Sequence, residues 1–336
     1  MGFVEDKKAF FAQNKLDFTL DHPCEEVSVY RLKESNQVVC EFVVNANVSS
    51  PITIAQLTDL HFNYFLEEDY LDEELLLTKK HRLWLKDGEA LKSAKSALEA
   101  CKYFDACVIT GDILDFLSKG TTYLTKKYIF EAYPNYICTP GGHEYVKQMQ
   151  TGVKDKLPLD ARKAIVEGFW NTNSYYVSKL VGERVLIIAI NNGLSHYDKE
   201  QVEKLTQDIK RAKKENLTVL IFQHEPISTR KICDQNHPAF IVTPGNVTHE
   251  NFYDNVNLVC STACATKEDN DVYDIITSNA DVIKGVFCGH WHAAHYVNLD
   301  GYYIKDGVVI PCPIPQIVSA GNPYFEDGFI MKIIVK

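Results

Sequence analysis

The sequence lacks any apolar run long enough to span a bilayer, which excludes a helical membrane protein. It also lacks the basic-then-apolar order of a secretory leader: the chain opens Met1-Gly2-Phe3-Val4-Glu5-Asp6, and a cytoplasmic protein is expected. Gly2 does not make a myristoylation signal, because Asp6 stands where Ser or Thr is needed. Without a leader, the glycosylation sequons at Asn47, Asn216 and Asn246 read as chance. Basic charge is in deficit. Lys and Arg number 35 against 45 Asp and Glu, a net charge of −10. That excludes non-specific binding to nucleic acid or to an anionic membrane surface. An anionic substrate stays open, because bound cations reverse the local field. Paired cysteines are lacking too. The 10 cysteines are scattered, several within apolar runs (Cys107, Cys138, Cys288), as expected of buried, reduced thiols. Cys260 and Cys264 are close in sequence but have no second pair nearby, so they do not make a zinc site. Repeats and low-complexity segments are absent, and nothing points to a protein partner.

What is present is ordinary globular material: 336 residues, 46% hydrophobic and 24% charged, enough for one large or two ordinary domains. Residues 1–48 read as an N-terminal arm followed by a β-hairpin extension, with strands at Glu26 to Leu32 and Val38 to Val44. Ser49-Ser50-Pro51 punctuates the chain, and 49–336 reads as the main domain. Strands are expected at Ile52 to Leu57, Ala106 to Ile109, Tyr136 to Cys138, Tyr175 to Val177, Val185 to Asn191, Leu217 to Phe222 and Gly285 to Cys288. Glu67 to Lys86 has helical character, its charges reading as a solvated face. Further helices are expected over Gly88 to Phe104, Thr121 to Tyr133, Lys199 to Glu215 and Asp271 to Ser278. Residues 228–268 carry Pro238, Pro244 and Gly245 without strong periodicity, and a loop of that length inside a compact chain is usually functional or disordered. It reads as a specificity loop. The stretch 294–336 alternates like an antiparallel meander. This order implies an α/β fold, a mixed sheet with helices outside it, closed by a mostly antiparallel second sheet.

The chemistry collects at strand ends. Ala106 to Ile109 stops at Gly111 and then presents Asp112. A lone Gly-Asp is ordinarily a turn former or a helix cap. Four other apolar β runs end the same way: on Asp59 and His61, on His143, on His224, and on His290 and His292. Five of the 11 histidines fall at these ends. The carboxyl ends of strands are where open α/β sheets place ligands. In extended chain, residues i and i+2 point the same way. Asp59 and His61 are therefore expected side by side, as are His290 and His292 with Trp291 turned away. Imidazole and carboxylate without thiolate suit Zn, Mn, Fe or Ni. Two such ions about 3.5–4 Å apart activate a water and clamp a phosphoryl oxygen.

The ordered motifs Asp59-Leu-His61, Gly111-Asp112-Ile-Leu-Asp115, Gly141-Gly-His143-Glu144, His224-Glu-Pro226 and Gly289-His-Trp-His292 resemble those of the calcineurin-like metallophosphoesterases. The resemblance covers about residues 50–336. It implies a four-layer α/β sandwich of two mixed β-sheets with helices outside, and a dimetal site at the strand ends. It also implies that Asp59, His61 and His292 hold one ion, that His224 and His290 hold the other, and that Asp112 bridges them. His143 would stand by the leaving group as an acid or as a donor to phosphoryl oxygens. Asp115 and Glu144 would support the site or cap it rather than bind ions. One position departs. The family pattern is Gly-Asn-His-Glu, its asparagine binding the second ion, and this chain has Gly142 there.

The expected function is therefore metal-dependent hydrolysis of a phosphomonoester or phosphodiester by a metal-bound hydroxide, with a weakened second site. The substrate would be a small-molecule or nucleotide-like phosphate ester. Tyr324 and Phe325 would border the pocket or be ordinary turn aromatics. Gly142 keeps two rivals in play: a scaffold of the same fold that has lost turnover, and a mononuclear phosphoesterase.

Overall fold

The computed structural model describes residues 28–31, 38–46, 48–82, 89–133, 135–149, 154–227, 266–290, 292, 295–319, 321 and 330–336. The expected specificity loop falls almost wholly outside these residues, as do Cys260, Cys264, Tyr324 and Phe325.

Among the described residues, fourteen strands form two six-stranded sheets and one separate ribbon. The first sheet contains β1 (Ser28–Arg31), β2 (Val38–Val44), β3 (Ile52–Leu57), β4 (Ala106–Thr110), β5 (Ile137–Thr139) and β14 (Ile330–Val335), in the order β1-β2-β14-β3-β4-β5. The second contains β6 (Tyr176–Val181), β7 (Val185–Ile190), β8 (Thr218–Phe222), β9 (Ile283–Cys288), β10 (His295–Leu299) and β13 (Ile314–Val318), in the order β10-β13-β9-β8-β7-β6. The strands β11 (Tyr302–Lys305) and β12 (Val308–Pro311) form the ribbon.

The strands that carry site residues are parallel within their sheets: β3, β4 and β5 in one, β8 and β9 in the other. Every residue of β4, β7 and β8 is buried. Continuous apolar runs such as Val185–Ile190 follow from burial on both faces.

Helices cover the outer faces. They are α1 (Glu73–His81), α2 (Glu89–Ala100), α3 (Lys119–Thr125), α4 (Leu159–Phe169), α5 (Lys199–Glu215) and α6 (Lys267–Thr277). Between the sheets, Ile54, Val108 and Ile333 pack with Leu220, Phe222 and Phe287. Outside the first sheet, Ala94 and Leu98 of α2 and Leu124 of α3 cover Leu57 and Ile109. Outside the second, Leu205, Ile209 and Ala212 of α5 join Val272 and Ile276 of α6 over Ile188 and Ile221. This is a four-layer α/β sandwich. The α5 stripe has an N-terminal lock: Asp198 accepts from the Gln201 N–H, and the Gln201 side chain accepts from the Asp198 N–H. At its other end Asn216 turns left-handed, at φ 53.

Three expectations are corrected here. The second sheet is not mostly antiparallel, because β7, β8, β9 and β13 run parallel in sequence across its centre. The C-terminal stretch is not one meander. Its strands divide among both sheets and the ribbon, and β14 enters the first sheet between β2 and β3. Alternation along a strand reports its faces but not its neighbours. The charges of 67–82 are not all solvated either: Asp69 and Glu74 are buried. Asp69 accepts from the Lys119 and Gly120 N–H groups at the start of α3. The cysteines Cys40, Cys101, Cys107, Cys138 and Cys288 are buried, and none of them is in a disulfide among the described residues. No helix among the described residues is long and apolar enough to cross a membrane.

Candidate metal centre

The strand ends of both sheets meet at one edge of the sandwich. Asp59 and His61 follow β3, Asp112 follows β4, and His143 follows β5. From the other sheet, His224 follows β8, while His290 and His292 follow β9. The structure brings six of the seven together in two groups whose ligand atoms each lie within 4.8 Å: Asp59, His61 and His292, then Asp112, His224 and His290. A third group, His61, Asp115 and His143, shares a member with the first.

The backbone that delivers them is unusual. Asp59, His61, Asp112, His290 and His292 all have positive φ, between 47° and 77°. Asp and His tolerate this region better than most residues, yet each instance costs on the order of 1–3 kcal/mol. Extended chain therefore does not deliver these residues, contrary to expectation. Asp59 and His61 do meet (Oδ1 to Nε2, 3.9 Å), but through left-handed turns. His290 and His292 separate into different groups. Glycine makes the closeness possible. A Cβ on Gly289 would sit 1.8 Å from the Thr58 Oγ1 and 2.5 Å from the Asp59 Oδ2.

Asp112 is central. Its Oδ2 lies 3.2 Å from the His224 Nε2, 3.9 Å from the His143 Nε2 and 4.0 Å from the His61 Nε2. Its Oδ1 accepts from the His143 backbone N–H (2.9 Å). Burial opposes ionisation of this carboxyl, but His224 and His143 outweigh it and hold it well below the usual carboxylate range. Burial also disfavours a charged His224, and Asp112 reverses that, raising its pKa to about 10. Burial lowers His61 to about 4 and His290 to about 3.

Hydrogen bonds fix which imidazole nitrogen is available. The Thr110 carbonyl can only accept, so the His224 Nδ1 donates to it (2.8 Å) and the Nε2 faces Asp112. The Asp115 carbonyl likewise takes the His143 Nδ1–H (2.6 Å). The Asp115 carboxylate meets the His61 Nδ1 at 3.0 Å. The His61 Nε2 then faces the His292 Nε2 at 2.9 Å, and the His224 Nε2 faces the His290 Nδ1 at 3.1 Å. Two pairs of imidazole nitrogens pointed at each other beside carboxylates are poorly satisfied by protons alone and well satisfied by cations. The buried His290 Nε2 has no hydrogen-bond partner among the described residues, which is the same signature.

Glu144 supports the site and binds no imidazole. Its buried carboxylate accepts from four backbone N–H groups: Asp112 (3.0 Å), Ile113 (2.7 Å), Leu114 (3.0 Å) and Gly141 (2.6 Å). Burial first, then the Asp112 charge, pushes its acid up to about 7. Gly142 is in right-handed helical conformation (φ −69°), and a Cβ there would meet only the Gly193 carbonyl oxygen, at 3.2 Å. Sequence reasoning missed two supports. Asn192 accepts from the His224 and Glu225 N–H groups, and Arg82 reaches Asp115. Asn192 carries no motif. Arg82 was hidden within a run of basic residues at a helix end, a common solvated pattern.

The fold and the site together define a metal-dependent hydrolase. Residues 52–294 match the family model for calcineurin-like phosphoesterases. No curated protein matches the sequence. Among solved structures, the chain is similar to a dimetal phosphatase from Danio rerio, at 12% identity and a TM-score of 0.39, over 82% of this chain and 88% of that one. The chain belongs to the calcineurin-like phosphoesterase family, whose members hydrolyse phosphoric esters.

Proposed function

We propose that this chain hydrolyses a small-molecule or nucleotide-like phosphate ester with two divalent ions drawn from Mn, Zn, Fe or Ni. Asp59, His61 and His292 would hold one ion and His224 and His290 the other, with Asp112 between them. The observation that carries this reading is the position of the Asp112 Oδ2, within 4.0 Å of imidazole nitrogens from both groups. Ions bound there supply an activated water and positive charge for the phosphoryl oxygens. The chain's own part is orientation. The His143 Nδ1–H is committed to the Asp115 carbonyl, so the Nε2 is the atom left to meet a substrate. The side chains of His143 and His292 are partly exposed, at 23% and 30%, and so lie on the open side of the site. In the same reading residues 49–336 are the catalytic unit, 228–268 its specificity loop, and the protein is cytoplasmic. The test is ion-free protein reloaded with each metal and assayed on a panel of mono- and diesters. Absence of turnover with every metal would reject the reading in favour of a scaffold.

His143→Ala is expected to keep its ions and to lose about 10²–10⁴-fold in turnover, the usual worth of a positioned acid or base. A smaller loss on esters with good leaving groups would identify proton donation. An equal loss on all would identify charge stabilisation. Unchanged turnover would remove His143 from the mechanism.

Gly142 favours a second reading, in which only the Asp59 group holds its ion tightly. Gly142→Asn tests it. The backbone is already suitable, and the Gly193 carbonyl needs to yield by only a few tenths of an ångström. With two working sites, calorimetry should show the second ion binding roughly 10–100-fold more tightly in the variant, the scale on which ligand support alters metal affinity. An unchanged second affinity would favour the mononuclear enzyme.

A further inference from the structure

We infer that Arg82 is a positioning residue of this centre, holding Asp115 so that His61 and His143 are presented in one tautomer and one orientation. The inference rests on the proposed role of His61 and His143. Arg82 closes the C-terminus of α1, its backbone N–H donating to the Thr78 and Lys79 carbonyls. Its side chain turns inward. The Nε donates to both Asp115 oxygens, at 2.9 and 3.0 Å, and the Nη2 donates to the Asp115 Oδ1. The Asp115 carboxylate is fully buried, and it also takes the Asn63 amide (2.9 Å) and faces the His61 Nδ1 (3.0 Å). The carbonyl of the same residue takes the His143 Nδ1–H. One residue thus orients two imidazoles of the centre, and one guanidinium orients that residue.

The chemistry selects arginine. A buried carboxylate without a cation is costly, and its anionic form is the one that accepts from the His61 Nδ1–H. The planar guanidinium grips both carboxylate oxygens and so sets the rotation of the carboxylate as well as its charge. The helix carrying Arg82 is itself anchored to the chain beyond His143. Lys147 pairs with Asp72 and Glu74, Thr78 donates to the Lys147 carbonyl, and the Lys156 N–H donates to Glu74. The segment between β3 and β4 therefore braces the centre from its edge.

The experiment compares wild type, Arg82→Ala and Arg82→Lys. Nitrogen NMR of the ion-free protein reports the His61 tautomer, and calorimetry with Mn or Zn reports ion affinity. In wild type His61 should be wholly Nδ1–H. In Arg82→Ala that tautomer should become mixed, the tighter ion should bind about 10–100-fold more weakly, and kcat should fall more than KM rises. Added guanidinium ion should restore part of both. Arg82→Lys keeps the charge without the fork and should fall between, which keeps the test open if the alanine variant fails to fold. A folded variant with the wild-type tautomer and unchanged ion affinity would overturn the inference. So would a rise in KM alone, which would mean that Arg82 touches substrate. If wild type binds no ion, the proposed function fails, and the ion-free tautomer still decides the role of Arg82.

Discussion

Asp112→Asn is expected to abolish turnover and weaken both ions at once. The substitution preserves shape, so the fold should survive. It removes the charge that lies 3.2 Å from the His224 Nε2 and 4.0 Å from the His61 Nε2. The amide also cannot satisfy both ends of the site. Its oxygen is needed by the His143 backbone N–H, now bonded to the Asp112 Oδ1. Its NH₂ group then points donors at the atoms where a cation belongs. Loss of a single preorganised electrostatic group commonly costs about 10²–10³-fold in kcat, and here the loss compounds with weaker ion binding of about 10–100-fold or more. Ion content after dialysis, measured by plasma mass spectrometry, is the check. A variant that kept two tightly bound ions would reject Asp112 as the shared ligand.

The largest effect on stability is expected from Glu144→Ala. Four backbone N–H groups converge on that carboxylate, and alanine leaves all of them buried without an acceptor. Each orphaned donor costs about 1–3 kcal/mol, so a total of about 4 kcal/mol or more follows. For a chain of this length that is a fall in Tm of roughly 5 °C or more. The Asp112 loop should lose its shape with it, and ion binding should fall. Urea unfolding of the ion-free protein provides the measurement. A stability within about 1 kcal/mol of wild type would mean that water replaces the carboxylate, which a site this buried argues against. Glu144 also carries a pH signature. Its acid is raised from the ordinary 4.5 to about 7, so the native state holds the proton more tightly than the unfolded chain. The stability from this group is full below about pH 4.5 and is lost as the pH rises through about 7. Glu144→Gln should flatten that window.

The site was legible as a list and illegible as a geometry. Each of the five strands expected ahead of these residues is present, and Asp59, Asp112, His143, His224 and His290 follow β3, β4, β5, β8 and β9, because a buried parallel strand is a short apolar run that sequence marks plainly. The grouping of residues was readable through the family resemblance, which set Asp59, His61 and His292 apart from Asp112, His224 and His290 as the structure does, but not from spacing. Spacing alone suggested that His290 and His292 would lie side by side, whereas left-handed backbone at both sends them to different groups, and dihedral angles leave no periodic trace. The helix α4 went unread because Val166 is its only buried residue, which gives no stripe to detect. Arg82 shows the same limit from the other side, since a basic residue at a helix end looks the same whether it faces water or a buried carboxylate.

The place of β14 bears on the order in which the molecule can be completed. This strand, Ile330–Val335, lies between β2 and β3, with Val335 opposite Ile52 and Ile333 opposite Ile54. During synthesis β3 emerges almost three hundred residues before its neighbour on that side. Until then the strand that leads to Asp59 presents a bare hydrogen-bonding edge, the kind of edge that recruits other chains. Pairings so distant along the chain close late and slowly. The first sheet, and with it half of the centre, is therefore finished only after the second sheet has been made. A nascent chain has all its acids and imidazoles of the centre well before it has the strand that locks the first of them in place.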